Sequence, residues 1–134
     1  VKPLRVPGDG AKPAKNYLAA VVPALADESA LTFSVNLPSE WAPTSAPHVS
    51  VFDDNGPVIP FVGTKTRLRV TVWADGRDRA RRIAGVCMAV LMAHRIDGVG
   101  AVSDPTGLAD SRDSTNGGLM CSFTVAAIVR TAAL

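Results

Sequence analysis

The sequence predicts an α+β fold: a mostly antiparallel sheet of four to five strands packed against two helices, in the order α-β-β-β-α-β-β. Three observations predict it. Residues 64–74 alternate, with Thr66, Leu68, Val70, Val72 and Ala74 on one side and Arg67, Arg69, Thr71 and Trp73 on the other. That period of two marks a strand with one buried face. After Ala74-Asp75-Gly76 the period changes, and Ala80, Ile83, Ala84, Cys87, Val90, Leu91 and His94 recur as one stripe of a helix. Residues 119–131 return to alternation, with Leu119, Cys121, Phe123, Val125, Ala127 and Val129 facing one way. Runs of strand and helix in this order belong to a layered α+β domain.

Taken along the chain, residues 1–12 have prolines, glycines and three cations without periodicity. They read as a flexible N-terminal arm or an extended lead-in to a single domain over 13–134. Pro13 suits a first helical turn, and Tyr17, Leu18, Val21, Val22 and Leu25 form an apolar stripe that predicts a helix over 13–28. Pro23 inside it predicts a kink or an early stop. Leu31, Phe33, Val35 and Leu37 alternate with polar residues as a half-buried strand ended by Pro38. Residues 38–47 form a proline-rich loop around Trp41, which is either tucked over the core edge or displayed as a partner anchor.

Residues 48–53 predict a second strand, and Asp54-Asn55-Gly56 a tight turn, because Asn-Gly tolerates positive φ. Residues 57–63 lead into the central strand. After the long helix, which at 77–95 would be roughly 28 Å long, residues 96–102 predict a short strand. Residues 103–118 are polar and turn-forming throughout, an unusual length for a loop and one associated with function.

A chain of 134 residues, 47% hydrophobic and 19% charged, is expected to be one globular domain. No apolar run is long enough for a bilayer, and no secretory signal opens the sequence. Cys87 and Cys121 lack metal spacing and sit among apolar residues, as buried free thiols of an intracellularly made protein do. A net charge of +2 gives no bulk affinity for nucleic acid.

Chemistry is not encoded in any recognisable motif. A nucleophile elbow, a Walker loop and a dinucleotide fingerprint are all missing, so the expectation is a protein that is not an enzyme and needs no cofactor or metal. His94 continues the helix stripe and is read as a packed side chain or dipole partner. Seven residues separate it from Cys87, about 10 Å along a helix. Asp53 and Asp54 point to opposite faces of a strand. Asp104, Asp110 and Asp113 could hold a cation, but their irregular spacing favours a solvated loop.

Two features point instead to contact surfaces. From Ile83 to Ala93 no side chain is charged, and Val86, Met88, Ala89 and Met92 lie off the stripe that the sheet would cover. Large exposed apolar patches mark contact sites, so either a second element of the chain or another subunit covers them. In addition, Arg67, Arg69, Arg77, Arg79, Arg81 and Arg82 fall within sixteen residues. They form either a solvated face laced with local ion pairs or a basic edge toward a subunit or DNA. Trp41, Asp104, Asp110, Arg112 and Asp113 join these as candidate interface residues.

The order of elements over 13–130 resembles the tail terminator (tail completion) proteins of long-tailed bacteriophages, especially those of actinobacterial hosts. The resemblance lies in an N-terminal helix, a strand ending Leu-Pro (FSVNLP, 33–38), and a Pro-led strand with a Gly turn (PHVSVFDDNGP, 47–57). It continues through a strand ending Val-Trp-Ala (RVTVWA, 69–74), an Ala/Arg helix, a glycine-rich connection and a last strand ending Val-Arg (FTVAAIVR). It implies a small structural α/β protein assembling as a hexameric ring. Such a ring caps the tail tube, ends its polymerisation and meets the head connector or neck proteins, with DNA passing through the lumen. The location implied is the virion tail at the head–tail junction, after synthesis in the host cytoplasm. The acidic, serine-rich 103–118 stretch departs from many relatives. The alternatives are a neck or head-completion protein of the same build, and a small-molecule-binding α+β domain using 103–118 as a lid.

Overall fold

The computed structural model describes residues 2–36, 40–60 and 62–134. Its elements in chain order are β1 (Arg5–Val6), α1 (Ala11–Leu25), β2 (Thr32–Ser34), β3 (His48–Asp53), β4 (Val58–Ile59) and β5 (Gly63–Ala74). They continue with α2 (Arg77–Ala93), β6 (Gly100–Ser103), β7 (Ala109–Arg112), β8 (Leu119–Arg130) and β9 (Ala132–Ala133). The α+β class is as the sequence predicts, with two helices and a mostly antiparallel sheet. Among the described residues that sheet has seven strands and not four to five, because the short β4 and β7 are ordered by pairing with β5 and β8, and β1 and β9 form a separate pair.

The main sheet runs β2-β3-β5-β8-β6, with β4 beside β5 and β7 beside β8. Only β2 and β3 pair in parallel. The axis is the antiparallel ladder of β5 and β8, twelve residues on each strand from Gly63↔Arg130 to Ala74↔Leu119. Both helices lie on one face, α2 over β5 and β8 and α1 over β3, and they pack against each other. The core lies between the layers. Leu18 and Val22 of α1 and Ile83, Cys87 and Leu91 of α2 meet Val49, Val51, Leu68, Val70, Val72, Phe123 and Val125 of the sheet.

Helix α1 starts two residues before Pro13 and ends at Leu25, three residues short of the predicted limit. Pro23 lies inside it. The end is a Schellman arrangement: the Glu28 N–H bonds the Pro23 carbonyl and the Asp27 N–H bonds the Ala24 carbonyl. Asp27 takes the left-handed position with φ 53°. The early stop matters because it carries Glu28 across to α2.

Several predicted boundaries move. Of the predicted strand 31–37 only Thr32–Ser34 is strand, and Leu37 and Pro38 lie outside the described residues. Asn55 has the expected positive φ of 56°, but the chain does not reverse there. The Asp54 N–H bonds the Arg67 carbonyl and the Arg67 N–H bonds the Asn55 carbonyl, so pairing with β5 continues past the kink. Reversal comes after β4, where the Val62 N–H bonds the Ile59 carbonyl. The stretch 103–118 is not loop throughout, since β7 pairs with β8 from Ala109↔Ser122 to Arg112↔Leu119. Edge pairing supplies the order that local composition does not. Residues 5–6 of the expected arm are extended and pair with β9, and the Arg5 guanidinium bonds the Thr131 hydroxyl and carbonyl.

Gly56 fits the kink because a Cβ there would stand 1.9 Å from the Lys65 carbonyl oxygen. Gly56→Ala is expected to cost about 1–3 kcal/mol, the usual cost of forced overpacking. Gly107→Ala, where nothing lies within 4 Å, serves as the neutral control. Urea denaturation of the two variants checks this, and equal midpoints would refute it.

Candidate functional site

The apolar second half of α2 is partly covered by its own chain. Val86 and Met88, expected to face water, are half-buried against the core, as is Leu108 of the 103–118 stretch. Leu108 reaches the Gly85 turn of α2, with its Cδ1 4.0 Å from where a Gly85 Cβ would stand. Ala89 and Met92 stay exposed, Met92 at 43%. With Leu25 of α1, exposed at 60%, Ala89 marks the open groove between the helices. There Leu25, Val86, Ala89, Val90, Ala93 and His94 line a depression of about 350 Å³. None of these side chains is an acid, lysine or arginine. His94 caps α2 and is exposed, not buried as its place in the stripe predicts, and its Nδ1 lies 2.6 Å from the Tyr17 hydroxyl.

The arginines are engaged within the chain. Arg79 grips Glu28 with both ends of its fork, Nε to Oε1 at 2.7 Å and Nη2 to Oε2 at 2.8 Å. Arg82 bonds Glu28 Oε1 at 3.1 Å and also the Ala26 carbonyl. Glu28 is only 7% exposed. The Arg79 hydrogen bonds, opposed by burial and helped by Arg82, hold its carboxyl below the ordinary value. Arg77 and Arg81 reach Asp110 of β7 at 3.0 and 3.2 Å. Partial desolvation opposes that effect at Asp110, yet the two cations draw its pKa down. Arg79 also meets Asp75, and Arg77 meets Asp78.

On the sheet's other face Arg69 pairs with Asp54 at 3.1 Å and lies over the Phe52 ring at 4.4 Å. Arg67 bonds the Thr124 hydroxyl and the Asp104 carbonyl. Arg112 bonds the Gly117 carbonyl. The cluster is thus the ion-paired reading of the sequence in structural form, tying α1, α2, β5 and β7 together. Each exposed pair contributes little to stability.

The face expected to be open at Thr71 and Trp73 is buried there. The turn after β7 folds over it. Asp113 accepts the Trp73 indole N–H at 3.0 Å, the Thr115 N–H at 2.8 Å and the Asn116 amide at 3.3 Å. These bonds, the Thr115 N–H foremost, lower the Asp113 pKa. Trp41 is buried as well and donates to the Ala46 carbonyl at 2.8 Å. A Cβ on Gly118 would stand 2.2 Å from its ring. Trp41 is therefore tucked over the edge of the core and not displayed as an anchor. Beside Trp73, residues Phe52, Arg69, Thr71, Arg112, Met120 and Ser122 border an open depression of about 380 Å³. Its polar groups satisfy one another, Thr71 with Ser122 and Arg69 with Asp54, instead of converging on the space.

Asp104, Asp110 and Asp113 do not come together: Asp110 faces α2, Asp113 faces Trp73, and Asp104 has φ 51° beside Ser103. Among the described residues no three of His, Cys, Asp and Glu are placed to hold a metal ion. Both cysteines are buried and unpaired. Burial pushes the Cys87 thiol up to about 12, and burial with the nearby Asp110 pushes Cys121 up to about 11. Among the described residues no helix is long and apolar enough to cross a membrane.

Sequence reasoning missed two arrangements. One is Glu28, an isolated acid after a helix, whose role depends on arginines 51 and 54 residues later. The other is His48, whose ring nitrogens meet the Thr32 hydroxyl at 2.6 Å and the Ser34 hydroxyl at 2.7 Å. Burial lowers the His48 pKa, and the alternation of β2 and β3 puts Thr32, Ser34, His48 and Ser50 on one face. No protein-family profile matches the chain, and no curated protein is significantly similar to it.

Proposed function

We propose that the protein is a structural component of a phage virion: a tail terminator that forms a ring of like subunits, caps the tail tube and joins the tail to the head connector. The observation that carries this is the uncharged groove between α1 and α2. Its lining residues Leu25, Ala89 and Ala93, and Met92 next to them in α2, stay exposed after the chain has folded. Burying a Leu- or Met-sized side chain is worth about 1.5–3 kcal/mol, so a neighbouring subunit gains by covering them. The order of elements that resembles tail terminators supplies the rest, including six-fold stoichiometry, a place at the head–tail junction and the absence of enzymatic activity. The neighbours in that reading are the tail tube protein and the head–tail connector or neck proteins, with DNA passing through the lumen.

A cyclic ring needs two different surfaces on each subunit, and the groove is one. The purified chain is expected to sediment as a closed oligomer. Ala89→Glu with Met92→Glu is expected to return it to a monomer that still melts near the wild-type temperature, since both sites are exposed. A wild-type chain that stays monomeric at high concentration overturns the reading. Imaging of the particle with the chain located separates a terminator from a neck protein.

A further inference from the structure

A second apolar surface, such as the proposed assembly needs, lies where β1, β4 and β9 gather beside β5 and β8. Nine large hydrophobic side chains are exposed among the described residues, and five of them, Leu4, Val6, Val58, Ile59 and Val62, belong to the segments that meet at one end of the β5–β8 ladder. There the Thr131 N–H bonds the Val62 carbonyl, β1 pairs with β9, and Gly63 pairs with Arg130. The result is an exposed apolar tip with the exposed cations Arg5 and Arg130 beside it. Asp9, the nearest acid in sequence, is turned to the start of α1, where it accepts the Ala11 N–H.

We propose that this tip docks into the α1–α2 groove of a second copy of the same chain, head to tail. The inference rests on the assembly proposed above and names its contact. Shape, apolarity and charge agree. The groove holds about 350 Å³, more than twice the roughly 150 Å³ that accommodates a benzene ring, so it takes more than one aliphatic side chain. The C-termini of both helices, at Leu25 and Ala93, border it. Neither helix has a lysine or arginine in its last turn. The α1 end is met by Arg82, which bonds the Ala26 carbonyl, whereas the negative end of the α2 dipole has only His94 beside it. Arg95, just beyond α2, lines a different depression with Pro13 and Tyr17. The tip brings what the groove lacks: aliphatic side chains flanked by arginines. One surface lies at the end of the sheet and the other on the outside of the helix layer. The contact is therefore heterologous, and each copy keeps a free tip and a free groove for the next.

Complementation tests this. A tip variant (Leu4→Asp with Val62→Asp) and a groove variant (Ala89→Glu with Met92→Glu) are each expected to be monomeric by light scattering. Mixed, they retain one good tip and one good groove between them and are expected to form a 1:1 dimer and nothing larger. Should a charged variant melt early, Val62→Cys and Ala89→Cys in separate copies replace it. Oxidation is then expected to cross-link the mixture, the two natural cysteines being buried. A wild-type chain that assembles while the mixture neither dimerises nor cross-links overturns this contact alone, as does a tip variant that assembles like wild type. A wild-type chain that never assembles overturns the proposed assembly and this contact together.

Discussion

Phe123→Ala is expected to destabilise the protein by about 3–5 kcal/mol, the usual cost of emptying an aromatic site in a core. Phe123 stands near the middle of β8, directly opposite Val70 of β5, with its side chain 2% exposed under the helix layer. The buried core it belongs to is built mainly of Val, Leu, Ile, Ala and Cys side chains from the sheet and both helices. They cannot collapse into the space without moving the β5–β8 ladder itself. Since whole domains are stable by only about 5–15 kcal/mol, the loss is a large share of the total. Thermal unfolding is expected to show a midpoint lowered by about 10 °C or more. A shift of only one or two degrees would mean that the helix layer does not close on the sheet as described.

The second large effect is expected at Glu28. Glu28→Gln keeps the shape but removes the charge that Arg79 and Arg82 share, and is expected to cost about 1–3 kcal/mol. Because Arg79 and Arg82 are 38% and 50% exposed, the figure lies below that for a fully buried pair. The pH dependence has a definite sign. The folded pKa of Glu28 lies below its ordinary value of 4.5, so its contribution is present above about pH 4.5 and is lost as pH falls through the lowered value. Wild type and Glu28→Gln should therefore differ in stability at pH 7 and converge in acid. Arg79→Met is expected to be worse than Glu28→Gln at pH 7, because it leaves a nearly buried carboxylate with Arg82 alone. Parallel stability curves from pH 7 to pH 3 would remove Glu28 from its role as the clamp between α1 and α2.

The same contacts show why some of the molecule is legible in the sequence and some is not. The alternation of Leu68, Val70 and Val72, the helical stripe of Ile83, Cys87 and Leu91, and the return to alternation around Phe123 each repeat with the period of one element. Element type and inward face followed from those periods alone. The early stop of α1, two residues past Pro23, followed from that proline, and the free cysteines from their apolar surroundings. The burial of Thr71 and Trp73 did not follow, because the turn that covers them is forty residues further on. Nor did β7, whose order comes from hydrogen bonds to β8 and not from its own residues. The arginine cluster shows the division most clearly. Sequence fixes that six arginines are close together, since spacing along one strand and one helix is local. Their partners Glu28, Asp54 and Asp110 are brought to them only when the layers close. Long-range pairing likewise decides that the groove between the helices stays partly open and that the aliphatic tip forms at all, because β1, β4 and β9 come from three distant parts of the chain.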